Sequence, residues 1–184
     1  MRVATLMPFL VLTLTQPAAA ADPAAQFITK LFIDVCVPNL GQPAGVREWA
    51  QAHRLPQIQS PAALGLFVGS GSNGAAWAIP AQQGTFALSI RGTTQACAVW
   101  ARAADPSEVT ANFQRIVEGV KRPGISVRVQ KDETSPSPSG DAHALVYNVG
   151  APNAPTGFLF TLLTAERPGG AFQASMQAAQ AATQ

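Results

Sequence analysis

Apolar residues recur along this chain in two rhythms, one close to 3.6 residues and one of 2, and the switches between them mark out its elements. Phe27, Ile28, Leu31, Phe32, Val35 and Cys36 form one helical stripe. Asp22 is placed to cap that helix, Pro23 suits its first turn, and Pro38-Asn39-Leu40-Gly41 stops it. A shorter helix is expected from about Ala44 to His53, with Val46, Trp49, Ala50 and His53 on one face. His53 then reads as a helix-end residue beside free carbonyls. Leu55 to Gly74, rich in glycine and carrying Pro56 and Pro61, reads as irregular.

The rhythm then changes to a period of two. Ala75–Pro80, Thr85–Arg91 and Gln95–Arg102 read as strands, the last two joined by Gly92-Thr93-Thr94. Setting Arg91 opposite Ala96 places Ile90 beside Cys97, Leu88 beside Val99 and Phe86 beside Ala101. This register keeps both apolar sets on one face, the condition that specifies strand pairing. The opposite face receives Ala87 beside Trp100 and Thr85 beside Arg102. Asp105-Pro106-Ser107-Glu108 has the form of a capping box and opens a helix with Val109, Phe113, Ile116, Val117 and Val120 as its stripe. Lys121-Arg122 suit the negative end of that helix, and Pro123-Gly124 end it.

Ile125–Gln130 and Ala142–Val149 then read as a pair of strands joined through Thr134–Gly140. Gly157–Ala165, apolar on both sides, reads as a central strand. The Ala/Gln-rich stretch 171–184 reads as a weak helix or frayed tail. The expected class is α+β: a single domain over 22–184, with a five- or six-stranded antiparallel sheet, helices packed on one face, and the order α-α-βββ-α-βββ.

Residues 1–21 belong to neither rhythm. Met1-Arg2, the apolar run Val3–Leu14, and Ala19 and Ala21 before Asp22 have the form of a secretory signal peptide with an A-x-A cleavage site. The run is about a dozen residues broken by Pro8, short of the roughly 20 needed to cross a bilayer. This implies a periplasmic or secreted address, with no membrane span. No cysteine stands at the cleavage site, so no lipid anchor is expected. In an oxidising compartment Cys36 and Cys97 are expected to pair. Both sit on core-facing stripes, and their bond would close a loop of about 60 residues. The competing reading is a catalytic thiol beside His53 or His143.

The 184 residues are 47% apolar and 12% charged, with a net charge of +2, which provides no electrostatic footprint for nucleic acid. Gly69-Ser70-Gly71-Ser72-Asn73-Gly74 matches GxGxxG, but Trp77-Ala78-Ile79-Pro80 comes next, where a dinucleotide site needs a helix. The same residues nearly match a nucleophile elbow, and Ser72, His53 or His143, and Asp141 could be assembled into a hydrolase triad. The carboxylates are scattered, and no CxxC or HxxxH spacing occurs, so neither metal nor cofactor is expected. Trp100 stands apart, since it points away from the core stripe among Ala87, Ser89 and Ala98. Either another segment covers this shallow apolar floor or a ligand uses it. Trp100, Ser89 and Arg102 are therefore the expected binding residues.

The helix from Phe27-Ile28 through Phe32 to Cys36, the later Cys97 in a strand after a Gly-containing turn, the Trp77-Ala78-Ile79 strand and the late Leu162-Leu163-Thr164 strand end resemble a family of small exported proteins and lipoproteins of Gram-negative bacteria. The likeness spans about residues 24–165, and this chain departs from the lipoprotein members in lacking a lipid-acceptor cysteine. It implies a periplasmic address, supports the Cys36–Cys97 pair and carries no catalytic residue. The expected function is a non-enzymatic module that binds an envelope protein or a small ligand. A cell-envelope hydrolase with a Ser/His site is the alternative.

Overall fold

Helix α1 (Pro23–Leu31) begins where Asp22 turns its side chain back to accept the Ala24 N–H at 3.0 Å. Its last turn widens into a π-helical turn, Phe32–Cys36, closed by the Val37 N–H donating to the Phe32 carbonyl at 3.0 Å. Ile28, Leu31, Phe32, Val35 and Cys36 are all buried, as the stripe predicts. Helix α2 (Pro43–Ala52) buries Val46 and Ala50. A further helix, α3 (Pro61–Val68), occupies part of the stretch expected to be irregular. Its eight residues are apolar nearly all round, so no periodicity betrays it, while Pro61 starts it and Gly69, at φ +85°, ends it. This computed structural model describes residues 20–69, 73–152 and 154–182, so most of the expected leader, and Ser72, lie outside the described residues.

Strands β1 (Ala75–Ala81), β2 (Gly84–Ile90) and β3 (Cys97–Ala101) come next, then helix α4 (Pro106–Gly119). The chain closes with β4 (Ser126–Ser137), β5 (Gly140–Gly150), β6 (Thr156–Ala165) and β7 (Ala174–Ala182). All seven strands form one antiparallel sheet in the order β1-β2-β3-β7-β6-β5-β4. The β2–β3 register is the expected one, with Ile90 opposite Cys97, Leu88 opposite Val99, Phe86 opposite Ala101 and Ala87 opposite Trp100.

Three expectations are corrected. The sheet has seven strands rather than five or six, and the element order is α-α-α-βββ-α-ββββ. The Ala/Gln-rich segment is neither a helix nor a frayed end. As β7 it lies at the centre of the sheet, paired with β3 from Cys97↔Ala178 to Ala101↔Ala174 and with β6 from Thr156↔Ala182 to Thr164↔Ala174. Alanine favours a helix locally, but two waiting strand edges offer a ladder on both sides, and that long-range pairing overrides the local preference. Finally, the helices do not all share one face. Residues of α1, α2 and α4 pack with Leu88, Val99, Phe160, Leu162 and Met176, whereas Phe67 and Val68 of α3 pack with Ala76 and Ala87 on the reverse side.

Cys36 and Cys97 are joined in a disulfide, Cα to Cα 5.4 Å, which ties the end of the first helix to the start of β3. Phe32 bridges the helices to the sheet, with ring centroids 6.2 Å from Phe113 and 6.1 Å from Phe160. The β4–β5 hairpin is longer than expected and reaches the turn Pro138-Ser139. Its outer strand carries Arg128, Lys131, Asp132 and Glu133, a register shift between Val129 and Lys131, and Pro136. Charge, bulge and proline are the devices that keep an edge strand from recruiting another. At the other edge, the Ile58 N–H donates to the Ala76 carbonyl and the Ala78 N–H to the Pro56 carbonyl, which covers β1.

A chain ending at Gly170 loses β7 and should show no cooperative melting transition by circular dichroism, because β3 and β6 lose their shared partner. Replacing Cys36 and Cys97 together by Ala removes a cross-link spanning 61 residues. Urea titration should register a loss of about 4 kcal/mol.

Candidate functional site

On the reverse face of the sheet, Trp100 of β3 lies opposite Ala87 of β2 and Ser175 of β7. These neighbours are too small to fill the space above the sheet, and α3 fills it over β1 to β3. Phe67 meets Trp100 edge-on at 5.7 Å, and Phe172, from the segment leading into β7, lies 5.4 Å from Trp100 and 4.7 Å from Phe67. Ser89 is fully buried beneath them and accepts a hydrogen bond from the Trp100 indole Nε1–H at 2.9 Å. The expected floor is therefore covered, and the covering segment is α3. Trp100 is half-buried in a small second core rather than standing as a bare platform, and Ser89 serves as its hydrogen-bond partner below the surface.

Beyond the edge of α3 the cover stops. A groove of about 320 Å³ opens there, lined among others by Leu66, Trp100, Leu163, Phe172 and Ser175. Leu66 is 58% exposed and Leu163 40% exposed, so two of its walls are large apolar side chains left in water. Arg102 does not reach this groove. It is exposed and lines a separate cleft with Gln83, Gly84, Thr85, Pro168, Gly169 and Gly170.

Gln173 holds the end of the groove in shape. Its N–H donates to the Ala101 carbonyl at 3.0 Å, its side-chain oxygen accepts the Ala104 N–H at 3.1 Å, and its Nε2 donates to the carbonyls of Ala165 and Glu166 at 3.3 Å. One buried glutamine thus ties the segment after β3 to the segment after β6. No periodic signal in the sequence singles out Gln173, Leu66 or Leu163. Their proximity exists only because β7 inserts between β3 and β6.

The histidines of the alternative triad have other partners. His53 ends α2, stacked on Trp49 at 3.9 Å with Nδ1 2.8 Å from the Trp49 carbonyl oxygen, as a helix-end histidine. His143 lies on β5, and its Nε2 is 2.8 Å from Asp132 of β4, not from Asp141. Among the described residues no hydroxyl hydrogen-bonds to His143. The thiol reading fails outright, because both cysteines are in the disulfide. Among the described residues no group of three His, Cys, Asp or Glu side chains is arranged to hold a metal ion, and no helix is long and apolar enough to cross a membrane.

No known protein-family model matches this chain, and no curated protein is significantly similar to it in sequence.

The packing of Trp100 sets a measurable outcome. Trp100→Phe keeps most of the ring contact but leaves the buried Ser89 hydroxyl without its donor, at a cost of about 1 kcal/mol. Trp100→Ala also opens a cavity beneath Phe67 and Phe172 and should cost about 3 kcal/mol. Both are read as shifts in the urea midpoint.

Proposed function

We propose that this is an exported, periplasmic binding module without catalytic machinery, and that it takes a small, largely apolar ligand in the groove beside Trp100. The observation that carries this reading is the pair of exposed leucines, Leu66 and Leu163, which face a groove of about 320 Å³ walled by Trp100 and Phe172. That volume is at the lower end of small-molecule sites, roughly 300–1,000 Å³, and the lining is of the kind such sites use. A planar ring or a short acyl segment matches the shape. Ser175, between Trp100 and Leu163 on the same face of the sheet, supplies a hydroxyl at the floor of the groove. The disulfide supports the periplasmic address, since such bonds persist in oxidising compartments.

The test is titration of the oxidised protein with a panel of aromatic and short-chain acyl compounds, monitored by ligand-observed NMR. Saturable binding is expected, and Leu66→Asp and Leu163→Asp should each weaken it tenfold or more. Both positions are exposed, so the melting temperature should hardly move. Binding indifferent to both substitutions would place the ligand elsewhere and sink the reading.

A further inference from the structure

Helix α4 does not complete its own capping box. The Asp105 carboxylate accepts the Glu108 N–H at 2.8 Å, which is the ordinary first half. In the second half, the Glu108 side chain should reach back to the Asp105 N–H. Here the two acceptors are exchanged across helices. The Asp105 N–H donates to the Asp22 carboxylate at 2.6 Å, and the Asp22 N–H donates to the Glu108 carboxylate, also at 2.6 Å. Asp22 is at the same time the cap of α1. Asp22 is thus joined to Asp105, 83 positions on, through its carboxylate, and to Glu108, 86 positions on, through the backbone nitrogen that immediately succeeds Ala21. Ala20 and Ala21 are exposed, and Asp22 is extended, so the Ala21–Asp22 bond lies at the surface beside this exchange.

We infer that leader removal turns this nitrogen into an ammonium that forms an ion pair with Glu108, so that the new chain end latches α1 onto α4. The inference rests on cleavage between Ala21 and Asp22. Water adds across that amide in the envelope signal peptidase. The C–N bond breaks, Ala21 leaves as a carboxylate, and the Asp22 nitrogen takes up protons to become –NH₃⁺. The 2.6 Å bond from an uncharged N–H to the Glu108 carboxylate then becomes an ion pair, charged on both sides.

The charges facing the nitrogen can be named. Glu108 is its partner, and the Asp22 and Asp105 carboxylates lie one hydrogen bond further on. Asp105 stays ionised through the neutral range, its pKa held low by the Ser107 hydroxyl and then by the Glu108 N–H. Lys30, Asp34 and Arg115 line the same groove between α1 and α4, with Lys30 paired to Asp34 and Arg115 bonded to Asn112. Among the described residues no Lys, Arg or His forms an ion pair with Asp22, Asp105 or Glu108. The N-terminal ends of α1 and α4 oppose a positive charge, and the carboxylates favour it. With Glu108 in direct contact the carboxylates prevail, and the amine should titrate above the roughly 7.8 of a free chain end. A raised pKa in the folded state means that the stabilisation is complete below about pH 7.8 and is lost as pH rises through the folded value.

The experiment uses the full chain exported from a bacterial host, with mass spectrometry reading its first residue. The pH dependence of α-amine acetylation by acetic anhydride is tracked site by site on wild type and Glu108→Gln. A chain starting at Asp22, with a midpoint raised by about one unit in wild type and returned to about 7.8 in the variant, is the expected result. The melting temperature of wild type should also fall about 2–4 °C further than that of the variant between pH 8 and 10. A chain starting at Asp22 whose amine titrates alike in both proteins would overturn the latch and leave the cleavage site standing. A chain starting elsewhere would overturn both.

Discussion

Everything in this domain depends on β7 lying between β3 and β6. The six strands that precede it in the chain are two separate three-stranded ribbons, β1-β2-β3 and β4-β5-β6, and neither has a partner for its inner edge until the last strand arrives. Its core face carries Ala174, Met176 and Ala178, all buried. Its reverse face carries Ser175 and Gln177, also buried. Its backbone ladders to β3 and β6 close the two ribbons into one continuous sheet beneath α1 and α4. Folding of the two halves is thereby coupled to a segment whose local preference is for helix.

Once the sheet is continuous, its two faces take different work. The helix-bearing face holds the main core, with Phe32, Phe113, Phe160 and Met176 fully buried, and the disulfide fixes the π-helical turn against β3. Around Trp100 the reverse face carries the small side chains of Ala76, Ala87, Ala98 and Ser175, which lets other segments pack closely there. A short apolar helix can approach closely over β1 to β3 and bury Trp100. Beyond that helix, Leu163 is left in solvent and the groove opens. The same smallness that admits α3 therefore produces the concavity beside it.

The ends of the helices are tied together as firmly as their sides. Asp22 caps α1 and supplies an acceptor to α4, while Glu108 of α4 takes the nitrogen of Asp22. Thr29 and Asn112 join the same two helices further along through a 3.1 Å hydrogen bond. The start of α1 is thus held to the helix that separates the two ribbons, close to where an exported chain would be cut.

Elements whose signals are local can be read directly along the chain. The α1 stripe, the α4 cap at Asp105 and the β2–β3 register all rest on spacing within short stretches, while the pairing of Cys36 with Cys97 follows from their being the chain's two cysteines, each on a core-facing stripe. Trp100 is legible in the same way, as a residue set apart from the core stripe. The segment above it is not, because α3 is too short and too uniformly apolar to show a period. The strand within 171–184 is a product of long-range contact, since a ladder with β3 and β6 outweighs the helix preference of alanine only when both edges are already in place. Long-range contact also brings Leu66, Leu163 and Gln173 around one groove and exchanges the caps of Asp22 and Glu108, because those contacts join residues far apart in the chain that no local pattern pairs.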